Sequence, residues 1–191
     1  AYIHSNGLET YVQLGLVWDK ASTRAYVKNN LFFNLKYNDA AFVKLAYDAT
    51  EAKDLNRLIE LDNECNALKS AQEVRVGSQK LGLRVFKIFS LHIEDELIEA
   101  WNQLIQTKQS KNHYAIIYGM MTSLMNIPLK EALYAYFYNA ANGIVINAVK
   151  LIPLGQLDGQ DILFNLIEDI EKLSQEALNI DEDKIGICSV A

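Results

Sequence analysis

The sequence predicts an all-α protein, a single-domain bundle of about eight to ten helices. Three observations carry that prediction. Apolar residues recur at helical spacing along nearly all of the 191 residues. Alternating β-branched residues, the mark of a half-buried strand, are absent except in the short tail KIGICSVA, residues 184–191. Only 2 prolines and 9 glycines are present, and 50% of residues are hydrophobic, so one domain spanning 1–191 with a substantial core is expected. Chains of this size bury roughly 70% of their unfolded surface.

The elements follow in order. NGLETYV opens the first helix, with Asn6 as cap and Glu9 three residues on, the capping-box spacing. Ser22 or Thr23 opens a second helix through Leu35, Asp39 caps a third to about Glu51, and a fourth covers Asp54 to Leu68. Ser70 and Glu73 make another capping box. In the helix that follows, Val74, Leu81, Val85 and Ile88 form one apolar stripe, and Arg75, Ser78, Gln79 and Gly82 form a second, polar one. Gly82 lacks bulk, so another backbone can approach there. Glu94 to Gln106 is a further helix, TKQSKN (107–112) an exposed loop, and His113 to Met125 a helix. Pro128 takes the favoured first position of the next helix. That helix is apolar on two sides: Leu133, Phe137, Ala141, Ile144, Ala148 and Leu151 on one, and Tyr134, Tyr138, Asn142, Val145 and Val149 on the other. Such a helix is either central or shared with another subunit. Pro153 and Gly155 stop it, and Leu163, Leu166, Ile170, Leu173 and Ala177 define a last amphipathic helix.

Charge and chemistry narrow the function. A net charge of −6 with scattered lysines argues against nucleic-acid binding, which needs concentrated positive charge. Ala132 to Val149 is uncharged and nearly long enough to span a membrane, but it carries Asn139, Asn142 and Asn147, so it reads as a buried helix and no membrane association is expected. Cys65 and Cys188 lie far apart and read as reduced cytosolic thiols. No signal peptide is expected, and because the chain starts on Ala1 it reads as a fragment or trimmed product. His4, His92 and His113 share no ligand spacing, and there is no H-E-x-x-H, C-x-x-C, phosphate loop or G-x-S-x-G elbow. GQLDGQ has neither the lysine nor the preceding strand of a phosphate loop. The residues favour a binding or scaffold protein over an enzyme. A generic helical adaptor and a small helical-bundle enzyme using a buried carboxylate or tyrosine stand as alternatives.

Three stretches together, SNGLET (5–10), QEVRVGSQKLG (72–82) and NAVKLIPLGQLDGQ (147–160), resemble the urease accessory protein UreF family in order and spacing. The resemblance implies an all-α, dimeric, cytoplasmic protein that is not an enzyme and binds no cofactor stably. It implies partners too: UreD (UreH in some organisms), the GTPase UreG, and apo-urease, to which nickel is delivered. Nickel would transit through a polar tunnel, and the homodimer would recruit UreG and influence its GTPase cycle. Three departures are expected to matter. The family's proline-glycine segment before the GLE motif and its charged C-terminal tail, which helps dock UreD, both fall outside this span. Asn142-Gly143 also stands where the family tends to have Ser-Asn, and a mid-helix glycine costs about 1 kcal/mol.

The resemblance singles out eight partner-binding candidates, and each has a plainer structural reading. Glu9 matches the GLE glutamate, which would line a partner face or ion path, or it completes the cap with Asn6. Arg75, Ser78 and Gln79 form an interface or an internal polar network, and Arg75 suits a bidentate carboxylate. Glu73 reads as a cap. Tyr138 matches a tyrosine near the family's dimer interface, or packs in the core. Lys150 matches a basic position before PLGQ, or answers the helix dipole. Gln156 and Gln160, four apart at a helix start, contact a backbone or hydrated ion, or satisfy orphan helix-end groups. No metal-ligating and no catalytic residues are expected.

Overall fold

The structure, a computed structural model, describes residues 7–187. In chain order it contains α1 (Leu8–Gln13), α2 (Lys20–Asn29), a π-helical segment (Asn30–Ala40), α3 (Ala41–Glu51), α4 (Leu55–Leu68), α5 (Gln72–Phe89), α6 (Glu96–Gln106), α7 (Tyr114–Leu124), α8 (Leu129–Leu151), α9 (Gln156–Phe164), α10 (Ile167–Ala177) and a 3-10 turn (Glu182–Lys184). The described residues contain no strand, so the all-α reading holds. None of their helices is long and apolar enough to cross a membrane. Turn-forming backbone replaces the strand in the described part of the tail, and the rest of it, Cys188 to Ala191, lies outside the described residues.

Helix starts follow the strongest local acceptor. α2 begins at Lys20, earlier than expected, because the Asp19 carboxylate accepts from the Ser22 N–H at 2.8 Å while the Ser22 hydroxyl answers the Asp19 N–H at 3.0 Å. Ser22 is thus the third residue of a capping box, not the cap. α4 lies where expected, and Asp54 caps it, accepting from the Arg57 N–H at 3.0 Å. Asp95 caps α6 through the Leu97 N–H, so that helix starts at Glu96 instead of Glu94. Two expected caps, at Asp39 and at Ser70 with Glu73, are not made. Helix runs unbroken from α2 through the π segment into α3, so Asp39 caps nothing, and its carboxylate pairs with Lys69 Nζ at 2.8 Å. α5 begins after Ala71 with no side-chain cap, so Ser70 and Glu73 form no box. α1 begins after Gly7, whose φ of +84° only glycine adopts without strain, while Asn6 lies outside the described residues.

The described residues gather into two compact units, one made of the chain up to Asn38 and from Tyr134 on, the other of Asp39–Leu133. In the second unit α3 lies against α7 and α4, and α5 against α7. Phe42, Leu58, Leu61, Trp101, Ile116, Ile117 and Met120 are wholly or nearly wholly buried there. The closeness of α3 and α7 depends on Gly119: a Cβ at this position would strike the Val43 carbonyl oxygen and crowd the Tyr47 backbone nitrogen at 3.1 Å. Tyr47 donates to the Ile127 carbonyl, and Tyr118 to that of Ala132, each at 3.0 Å, which ties down the turn before α8.

In the first unit, Phe137, Ala141, Ile144 and Ala148 of α8 are buried, as are Leu166, Ile170, Leu173 and Ala177. The expected apolar faces are therefore present, with two corrections. Leu151 is 41% exposed at the frayed end of its stripe. The last helix is two helices, because the chain turns at Asn165 and Leu166, and Arg24 donates to the Asn165 carbonyl at 2.9 Å. Lys28 pairs with Asp169 and Lys36 with Glu176 alongside. Partly exposed pairs of this kind contribute about 0–1 kcal/mol each, so the buried stripe holds the unit together. α8 passes through Gly143 without a break.

Gly119→Ala tests the close packing in the second unit. A methyl group wedged against rigid backbone should cost about 1–3 kcal/mol, read as a lower urea midpoint with an unchanged slope.

Candidate functional site

The polar stripe of α5 faces into its unit and the apolar stripe faces out, the reverse of what hydrophobicity alone suggests. Val74, Leu81 and Ile88 are 40%, 46% and 51% exposed, whereas Gly82 is buried. The cause is steric: a Cβ on Gly82 would run into the carbonyl of Asn112 and lie 2.9 Å from the Tyr114 nitrogen. Only the glycine face of α5 lets that backbone come close, and the polar side chains beside the glycine then find partners in it. The end of the 107–112 loop is therefore buried, although its first residues are exposed as expected.

The loop is held from α4. The buried Asp62 carboxylate accepts three consecutive backbone N–H groups, from Lys111 (2.6 Å), Asn112 (2.9 Å) and His113 (2.9 Å). Burial pushes the Asp62 carboxyl above its usual range, against the opposing pull of those donors. Asn112 in turn accepts from Trp101 Nε1 at 3.0 Å. The fully buried His113 ring bonds to Ser78 Oγ at 3.1 Å through Nδ1 and to Asn66 Oδ1 at 3.2 Å through Nε2. Asn66 Oδ1 also accepts from Gln79 Nε2 at 2.9 Å, and Ser78 Oγ accepts the Tyr114 N–H at 3.1 Å.

These partners assign the protons. Asn66 Oδ1 can only accept, so Nε2 carries the hydrogen; Ser78 Oγ takes the Tyr114 proton and donates its own to Nδ1. The network therefore suits the neutral imidazole. Burial, then the positive charge of Lys69, lowers the His113 pKa to about 4. Arg75 reaches the carbonyls of Lys69 (2.7 Å) and Ser70 (3.3 Å), closing the end of α4. Arg75, Ser78 and Gln79 thus all make hydrogen bonds within this unit. Asp62, Asn66, His113 and Asn112 belong to the same network and were not singled out from sequence, since no spacing links them; the one visible signal was Gly82.

The remaining candidates lie in the other unit. Glu9 is exposed in the first turn of α1, where a carboxylate suits the helix dipole. Lys150 is exposed in the last turn of α8, favourably placed by the same rule. Tyr138, 39% exposed, stacks on Tyr134 with ring centroids 6.5 Å apart. Tyr138 and Gln160 line one open cleft of about 380 Å³ with Asp161, Leu163, Phe164 and Ile167. Phe164 is 74% exposed there, an aromatic side chain that periodicity did not flag.

Gln156 is exposed at the first position of α9 and does not line the cleft. Neither glutamine serves the helix end, because Asp158 does: its Oδ2 accepts the Gly155 N–H at 3.0 Å. Gly159 explains the second glycine of GQLDGQ. A Cβ there would meet Val149 at 3.0 Å and Val145 at 3.2 Å, so α9 crosses closely over the second apolar stripe of α8 and covers it at that point.

No group of three or more His, Cys, Asp or Glu among the described residues could hold a metal ion. Cys65 is buried, and burial pushes its thiol up to about 12.

The family model described as UreF matches residues 17–167. The chain is 45% identical over 188 residues to a protein of Actinobacillus pleuropneumoniae serotype 5b (strain L20) named urease accessory protein UreF, covering 98% of this chain and 83% of that one. A protein of the same name from Haemophilus influenzae (strain PittEE) is 43% identical, with 98% and 80% covered. One from Sporosarcina pasteurii is 30% identical over 183 residues, with 96% and 91% covered.

The His113 network gives a pH dependence. Its folded pKa lies below the unfolded value of 6.5, so the unfolded chain binds the proton more readily. This contribution to stability is complete above about pH 6.5 and is lost as pH falls towards about 4. Asp62, with its raised pKa, acts in the opposite sense at the acid end. Urea midpoints should fall between about pH 7.5 and 5 in the parent and fall less in His113→Gln.

Proposed function

Because this chain belongs to the UreF family of urease accessory proteins, an accessory family and not an enzyme family, we propose that it acts as a nickel-insertion chaperone and scaffold in urease maturation. It bridges UreD (UreH) and the GTPase UreG while apo-urease receives its metal. It works in the cytoplasm as a homodimer and contributes no covalent chemistry. Nickel is cargo that passes on and is not retained. The observation that carries this reading is the family match over residues 17–167, joined to 45% identity along nearly the whole chain.

The physical requirement on such a scaffold is differential affinity. It influences a GTPase cycle only if it binds one nucleotide state of UreG more tightly than the other. Exposed side chains suited to partner contact support the reading: Glu9, Lys150, Gln156, and the cleft with Tyr138, Gln160 and Phe164. Arg75, Ser78 and Gln79 take an indirect part, shaping the second unit through bonds to the Tyr114 N–H, the Asn66 side chain and the end of α4.

Activation of urease in a strain lacking its own UreF tests the function, alongside pull-downs with UreG and UreD. Restored activity with capture of both partners is expected, and failure to bind either would overturn the reading. Tyr138→Asp tests the dimer separately. A charge placed in a subunit contact without a partner is costly, so sedimentation at micromolar concentration should show monomer and urease activation should fall. A variant that stays dimeric removes Tyr138 from the interface.

A further inference from the structure

The outward face of α5 has no role in the network just described, and its make-up is unusual for this protein. Val74, Leu81 and Ile88 repeat every seven residues and stand 40–51% exposed, a ridge about 21 Å long at 1.5 Å per residue. Beside it, at spacings of four and three, run Lys80, Arg84 and Lys87, all exposed. None of these three cations has a carboxylate partner among the described residues. Elsewhere Lys20, Lys28, Lys36, Lys44, Arg57 and Lys69 are paired, and the cations that are not, such as Lys53, Lys108, Lys111 and Lys150, lie in loops or at helix ends and form no row along a helix. A chain of net charge −6 thus keeps an unneutralised basic row along an uncovered apolar ridge.

The geometry points to a docking surface on α5 for an acidic amphipathic helix of a partner protein. The heptad spacing of the ridge is what a helix laid lengthwise presents to its neighbour, with Lys80 and Lys87 in the flanking positions that choose partners by charge. A lone ridge of aliphatic side chains would accept many partners. The cation row makes it selective for carboxylates, and it raises the association rate in a salt-dependent way. The network behind α5 gives the surface rigidity, since the helix is seated by Gly82 and bonded through Ser78 and Gln79. The inference is independent of which proteins the scaffold bridges.

The probe is a labelled helical peptide with leucine every seventh residue and glutamate flanking it, against a control carrying lysine for glutamate, read by fluorescence anisotropy. The glutamate peptide should bind saturably, more weakly in high salt, and the lysine peptide should not. Lys80→Glu/Arg84→Glu/Lys87→Glu should weaken the glutamate peptide at least about tenfold and gain the lysine peptide. Leu81→Ser should weaken it while leaving the charges in place. Circular dichroism melts of these surface variants confirm that the fold is retained. Equal binding of both peptides, no saturable binding up to about 100 µM, or co-sedimentation with phosphatidylserine vesicles in place of peptide binding would each overturn the proposal.

Discussion

One buried carboxylate organises the unit around α7. Asp62 on α4 receives three successive backbone N–H groups from residues 111 to 113 and so anchors a segment that has no regular structure. A buried loop is costly because its peptide groups lose water, and the carboxylate supplies the acceptors that water would have offered. With that segment in place, Gly82 can seat against it and the His113 ring can enter the interior with both nitrogens satisfied. α5 is positioned by polar contacts, and this is why its aliphatic ridge is free to face outward. Taking away the carboxylate would leave three consecutive donors unanswered at once, two of them buried.

The two units hold their helices by different means. Around α7, hydrogen bonds to a buried loop supplement glycine-mediated close packing. In the other unit a long apolar stripe on α8 and the stripe that continues from α9 through α10 do most of the work, with ion pairs at the rim. Polar bonds specify orientation, and apolar burial supplies bulk stability.

Much of this was readable from residue order. The positions of α4, α7, α8 and the Pro153–Gly155 stop follow from capping residues, breakers and the 3.6-residue period, and the family was visible in three short motifs. The failures share a physical origin. Asp19 outcompeted Ser22 because a charged acceptor makes the stronger cap, and Asp39 was drawn to Lys69, thirty positions away along the chain. Periodicity gave α5 two faces without saying which is inside; the missing bulk at Gly82 marked the inner one, though the neighbour that seats against it is one no local pattern announces. Phe164 escaped notice for a similar reason, since its exposure depends on how the chain turns at Asn165.

The burial of Cys65 decides its reactivity. A thiol needs to be ionised to grip a soft cation, and with its pKa at about 12 almost none of this one is ionised in a living cell. Cys65 therefore fills space as a small hydrophobe, closed to metal ligation and to oxidation while the fold is intact.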